Sequence, residues 1–344
     1  THGRGLYIVD DISPLRRLTT DLLQKDAALL PTRPVAVTTG HYGQAFPNTG
    51  SYAGQNATES ATIQYYLKDR LNVGDVTLEV IDASGKVVAS IPGTKRKGLN
   101  VVRWDMRTAP PKAARGVMVQ GEPGVYAGFV GQMALPGIYS VRLKAGNFTD
   151  DDELTLVPDP LQPELDYNKR KEISDDLFQL VEKLGLLVAQ VQNAKDSAEQ
   201  RAAVVKDKKL KNNLLQFSTN LESFRKTLTE TIESKGITGE KQLRARIGRL
   251  FLFTEISDEL PTQSVVDGIK TMQEELHKAQ DKADVFFGKD MVTLNNGLRK
   301  EKLRPLEVID RAAFLRQYDK TTSPATKVDK PWFELVKEMF QAED

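Results

Sequence analysis

Between residues 58 and 157 apolar and polar residues alternate with a period of two, and from Ile173 onward apolar residues recur every three or four positions. The first rhythm predicts strands with one buried face, the second amphipathic helices. In 61–67, Ile63, Tyr65 and Leu67 share a face; in 75–82, Val76, Leu78 and Val80 point inward. Asp82-Ala-Ser-Gly85 is a turn signal, and 86–91 returns as the hairpin partner. Val102 and Trp104 line a further strand within 99–106, and 136–143 and 152–157 complete the set, with one more short strand read at 125–130. Short strands at close turn spacing predict an antiparallel β-sandwich over 58–158.

The prolines at 158, 160 and 163 break ladder and helix alike and mark a boundary. Beyond it, apolar stripes run from Ile173 to Val191, Leu210 to Ile232, Leu243 to Leu250, and Val265 to Phe286, with Thr238 read as the N-cap of the third. Four such stripes predict an antiparallel helical bundle or long helical hairpins over 164–300. Residues 14–57 carry helical spacing only over 15–30 and are otherwise rich in Pro, Gly and Thr, which reads as a linker. The tail, 301–344, regains a pattern at 332–340, where Trp332, Phe333, Val336, Met339 and Phe340 predict a short amphipathic helix that docks elsewhere. The expected fold class is multidomain, β then α.

Composition narrows the chemistry. The 344 residues carry 48 basic and 47 acidic side chains, and both halves are balanced, so sequence-independent nucleic-acid binding has no electrostatic footprint. Cysteine is absent, which excludes disulfides, thiolate zinc ligands and thiol catalysis. No apolar run has the length to cross a bilayer. Neither a Gly-x-Ser-x-Gly elbow nor a glycine-rich phosphate loop occurs.

The first residues, Thr1-His-Gly-Arg-Gly-Leu-Tyr-Ile-Val-Asp-Asp-Ile-Ser-Pro-Leu-Arg16, place an apolar strand directly after a basic Gly-x-Gly turn. Such a strand requires neighbours, so 1–13 reads as the remnant last strand of a larger β-domain. This segment resembles the closing part of bacterial β-propeller proteins of the sortilin and BNR-repeat type, often labelled glycosyl-hydrolase-like. The resemblance extends loosely through 61–67, 75–85, 99–107, 136–143, 243–250 and 261–276. It implies that the sandwich is fibronectin-III or Ig-like, that the parent protein is exported to the periplasm, cell surface or medium, and that the partner is the protein's own propeller. The family's Ser-x-Asp-x-Gly-x-Thr-Trp repeat is absent, so no propeller-borne activity carries over to these residues.

Each candidate site has a plain structural alternative. Asp150, Asp151, Asp152 and Glu153 cluster carboxylates that suit calcium, without EF-hand spacing; the alternative is a solvated hairpin tip. Asp10 and Asp11 are adjacent on a strand and point opposite ways. His41 and Tyr42 sit in a Gly-flanked loop that suits a ligand pocket or a plain connector, and His277 reads as a half-buried structural histidine. Tyr66 alternates to the outer sandwich face, where an aromatic can stack on a sugar ring or meet another domain. Trp332 and Phe333 form the candidate docking patch. No catalytic residue, cofactor or metal centre is assigned. The sequence predicts a non-catalytic spacer or docking region, with an accessory role beside a propeller-type, sialidase-like hydrolase or a carbohydrate-binding sandwich as alternatives.

Overall fold

The computed structural model describes residues 12–38, 60–114, 130–162, 164–229, 242–257 and 259–321, with the backbone alone over 318–321. The chain divides into two compact units: residues 1–109 with 132–168, and residues 110–131 with 169–344. Antiparallel sheets therefore come first and a helical region follows, and the segment 110–131, between two strands in sequence, belongs to the helical unit.

The strand unit opens with two short helices, α1 (Ser13–Arg16) and α2 (Thr20–Gln24), the second capped by the Thr19 hydroxyl accepting from Leu22 N–H. Among the described residues eight strands follow: β1 (Ala27–Leu30), β2 (Val35–Ala36), β3 (Ala61–Leu67), β4 (Val76–Ile81), β5 (Val87–Pro92), β6 (Gly98–Trp104), β7 (Gly137–Ala145) and β8 (Phe148–Val157). They form a three-stranded sheet in the order β1-β3-β6 and a five-stranded sheet in the order β2-β8-β7-β4-β5, antiparallel throughout except for the β2–β8 pair. The stretch read as a linker thus contributes a strand to each sheet. β1 pairs Ala27 with Leu67 and Leu30 with Gln64, and β2 extends the sheet beside Leu156 and Val157.

Inward residues of both sheets make one apolar cluster, in which Ile63, Tyr65 and Trp104 meet Leu78, Val80, Leu143 and Leu154. Period-two alternation produces this directly in β3, β4, β6 and β7, where buried and less buried positions follow one another along the strand, and each buried aliphatic contributes about 1.5–3 kcal/mol. The hairpin joining β4 to β5 turns where the sequence predicts. Gly85 supplies a φ of +82°, and the Asp82 carboxylate accepts from Ser84 N–H, Ser84 Oγ–H and Lys86 N–H. A buried polar network fixes the turn before β6: Tyr65 Oη–H donates to the Thr94 carbonyl at 2.5 Å, Thr94 Oγ1–H to Asn100 Oδ1, and Asn100 Nδ2 to the carbonyls of Arg96 and Gly98.

The helical unit contains α3 (Tyr167–Val204, of which the first two residues belong to the strand unit), α4 (Lys208–Thr229), α5 (Leu243–Ile256), α6 (Gln263–Val285), a single π-helical turn (Phe286–Asp290), α7 (Met291–Lys300) and α8 (Arg311–Thr321). The α3 helix, about 57 Å long at 1.5 Å per residue, buries a stripe from Leu177 to Val191 that tapers to Ala194, Ala198 and Ala202. At its start Ser174 and Arg170 turn inward and Ile173 does not. Leu210, Leu214, Phe217, Leu221, Phe224 and Leu228 form the matching stripe on α4. The α5 helix is buried nearly all round, as a central helix must be. It starts at Leu243 with Gln242 at the N-cap position; Thr238 lies outside the described residues. Phe286, in the π turn, packs edge-on against Phe217 and tilted against Phe224, with the Lys282 ammonium 5.2 Å above the Phe224 ring.

Residues 110–114 run across this unit. Pro111, Ala113 and Ala114 are buried, Lys112 N–H faces the Glu182 carboxylate at 3.5 Å, and Arg244 donates to the Ala114 carbonyl at 2.7 Å. The strand read at 125–130 lies outside the described residues except for Val130, which is buried in a bend.

Candidate functional site

The acidic run lies inside β8 and not at a hairpin tip, which the structure places at Gly146 and Asn147. Strand alternation then separates the four carboxylates onto two faces. Asp151 makes a two-pronged ion pair with Arg142 (Nε–Oδ1 2.8 Å, Nη2–Oδ2 2.9 Å), and this hydrogen-bonded guanidinium holds the Asp151 carboxyl below the usual range. Glu153 accepts from Thr155 Oγ1–H at 3.2 Å. On the other face, Asp150 Oδ2 accepts from Leu29 N–H at 2.9 Å, closing an edge donor of β1, and Asp152 accepts from Glu153 N–H. Among the described residues no group of three or more His, Asp or Glu side chains is placed to hold a metal ion. The outer face of the five-stranded sheet is instead a charge lattice, with Lys144 Nζ 2.5 Å from Glu79 Oε1 beside the Arg142–Asp151 pair.

Tyr66 faces away from the core, as its position in β3 predicts, and is half-buried. The register sets it between Ala28 of β1 and Leu99 of β6, and sets Gln64 between Leu30 and Val101. Leu99 and Val101 are 38% and 50% exposed. The outer face of the smaller sheet therefore offers one aromatic ring beside two exposed aliphatics, on an edge strand. The sequence carried a signal for this that reading the inward face alone misses: positions 99 and 101 alternate with the buried Asn100 and Val102, yet are apolar.

A second feature escapes the sequence entirely. Where β6 ends, Met106 takes a φ of +56° and is buried, so the chain turns sharply and tucks Asp105 and Arg107 against the core. Trp104 Nε1–H donates to the Arg107 carbonyl at 2.9 Å, and Arg107 N–H donates to Asp105 Oδ1 at 3.2 Å. Burial pushes the Asp105 carboxyl up, against the opposing pull of the Arg107 charge and two backbone amides. Because the folded state holds this proton more tightly than the unfolded chain, Asp105 stabilises the fold below about pH 4 and loses that contribution as pH rises through its folded value. Asp75, Asp82, Asp151 and Glu222, held low by Lys95, Ser84, Arg142 and Arg225, act in the opposite sense and lose their contribution as pH falls through their own folded values. Asp105→Asn keeps the acceptor for Arg107 N–H and removes the charge. Its urea midpoint is expected to rise above that of the parent by a margin that widens from about pH 4 to about pH 7. A constant margin would refute the assignment.

No known protein family, curated protein or solved structure matches this chain.

In the helical unit the ends of α3 and α5 share a buried polar network. Arg170 donates to the carbonyls of Thr254 and Glu255 at 3.1 and 3.3 Å, which closes the C-terminus of α5, and Ser174 Oγ–H donates to the Glu255 carboxylate. The arrangement caps a helix end. His277 is exposed and not half-buried as the sequence suggested: Leu276 and Ala279 take the inward positions of α6, which turns the next residue to solvent beside Asp281, 3.9 Å away. His41 and Tyr42, Asp10 and Asp11, and Trp332 and Phe333 lie outside the described residues. Among the described residues no helix is long and apolar enough to cross a membrane.

Proposed function

We propose that this chain is a non-catalytic accessory region of an exported bacterial β-propeller protein, a spacer and docking module formed by an Ig-like sandwich and an antiparallel helical bundle. One observation carries the sandwich half of this reading, namely the strand order. Labelled in chain order, β1-β3-β6 and β2-β8-β7-β4-β5 correspond to the A-B-E and A′-G-F-C-C′ sheets of Ig and fibronectin-III topology. Two details support it. Tyr139, near the start of β7, donates its hydroxyl to the carbonyl of Leu135, four residues upstream, as in a tyrosine corner. Trp104 packs edge-on against the Tyr139 ring at 5.7 Å.

The helical half rests on continuous buried stripes, which favour rigid spacing over ligand capture. Docking to the protein's own propeller falls to the Tyr66–Leu99–Val101 face and to Trp332 and Phe333. The purified chain is expected to show no turnover of sialoside or other glycoside substrates while binding the upstream propeller supplied in trans. Robust hydrolysis, or a propeller that ignores the chain, would end the reading. A carbohydrate-binding role is the second reading, favoured by the half-buried Tyr66 beside the exposed Leu99 and Val101. A glycan array with Tyr66→Ala decides it: loss of a specific glycan signal supports it, and an array without signal removes it.

A further inference from the structure

After α7 the chain makes a Schellman ending, with Leu303 N–H bonded to the Leu298 carbonyl at 2.9 Å and Lys302 N–H to the Arg299 carbonyl at 3.1 Å. Lys302 occupies the left-handed position with φ +55°, where glycine is the favoured residue, so the turn is strained. Beyond it, residues 303–310 run without helix or strand pairing along the helical unit. Side chains hold their backbone. Arg201 donates to the Arg304 carbonyl at 2.9 Å and Gln190 to the Ile309 carbonyl at 3.0 Å. Asn295 makes a reciprocal pair with Leu306, donating to its carbonyl at 3.0 Å and accepting its N–H at 2.7 Å. In this strap, residues 303–310, Leu306 is the buried position, 2% exposed. The strap then leads into α8, whose Arg311 pairs with Glu182 at 2.9 Å and whose Phe314 is buried.

This is a peptide in a groove. Carboxamide and guanidinium groups on α3 and α7 hydrogen-bond to the backbone of this segment, and the buried Leu306 anchors it. The occupant is tethered through a single strained turn. We propose that the groove formed by α3 and α7 is a self-recognition surface that also accepts residues 303–321 from a second copy of this chain, giving a strap-exchanged dimer. Every groove contact is identical in the closed monomer and the exchanged dimer, so the balance between them is set by chain concentration and by the Lys302 turn. Opening that turn relieves the strain at both hinges of a dimer.

The test is solution mass by light scattering across a concentration series, using the full chain. Lys302→Gly removes the strain and is expected to lower the dimerisation constant by at least about tenfold. Lys302→Pro cannot adopt a positive φ and loses the N–H donor, and is expected to raise the dimer fraction. If both variants and the parent show the same dimerisation constant, the proposal fails. A complementation experiment covers the case in which the proline variant does not fold. Asn295→Ala spoils the groove and leaves the strap intact, and Leu306→Ala spoils the strap and leaves the groove intact. Mixing the two is expected to yield a heterodimer enriched over either homodimer, because the mixed pair holds one intact strap in one intact groove, while its other interface, altered at two residues in direct contact, loses less than the sum of the two changes. Mixtures in which the heterodimer is no more abundant than chance pairing would overturn the inference.

Discussion

Gly185→Val is expected to destabilise the helical unit by about 3 kcal/mol or more, at the upper end of what overpacking does. A β-carbon on residue 185 would lie 2.2 Å from the carbonyl oxygen of Lys112, with Ala113 and Ala114 backbone atoms at 3.3 Å. All three contacts are backbone, so no rotamer change relieves them. The segment 110–114 must lift off α3, and with it go the hydrogen bond from Arg244 to Ala114 and the burial of Pro111, Ala113 and Ala114. Chemical unfolding followed by far-ultraviolet circular dichroism measures the loss. Gly268→Ala is the control. Its added methyl meets only the Leu250 side chain at 3.5 Å, and it should stabilise α6 by up to about 1 kcal/mol through helix propensity. Equal effects of the two substitutions would show that residue 185 is only a weak helix former and that no chain crosses it.

The second large effect is expected in the strand unit. Trp104→Ala should cost about 3–5 kcal/mol, the range for emptying a buried aromatic site. Trp104 is buried to 2%, packs against Tyr139 and satisfies the Arg107 carbonyl that the Met106 turn directs inward. Trp104→Phe retains most of the volume and forfeits the donor. Its cost should fall near the 1–3 kcal/mol of an unsatisfied buried acceptor, roughly midway between parent and alanine variant. Unfolding midpoints of the three proteins, ranked in any other order, would place the stabilisation of this corner elsewhere.

The features that the sequence made legible are those set by local rhythm. The stripes on α3, α4 and α6 and the inward positions of β3, β4 and β6 follow from side-chain periodicity alone. β1 was not legible because Ala27, Ala28, Leu29 and Leu30 are all buried, so no alternation survives, and alanine and leucine favour helix in isolation. Only the pairing with β3 makes that segment a strand. Glycine at 185 reads locally as a flaw in a long helix; its reason lies in Lys112, far away in the chain. Asp105 looks like any surface acid until burial distinguishes it. The acidic run, read as a solvated hairpin tip or a calcium cluster, lies along β8 because the hairpin turns earlier, at Gly146 and Asn147, and a strand sends its four carboxylates to opposite sides.

Because 110–131 belongs to the helical unit while 132–168 returns to the sheets, the polypeptide passes between the units three times and neither unit is one continuous stretch of sequence. On the ribosome the first piece of the helical unit emerges before β7 and β8 exist and must wait, unassembled, until the later helices are made. The strand unit has all of its residues once position 168 is made, whereas the helical unit draws on residues on both sides of it. Long-range closure of this kind slows folding, and it leaves residues 110–114 without their partners on α3 and α5 until both helices are made.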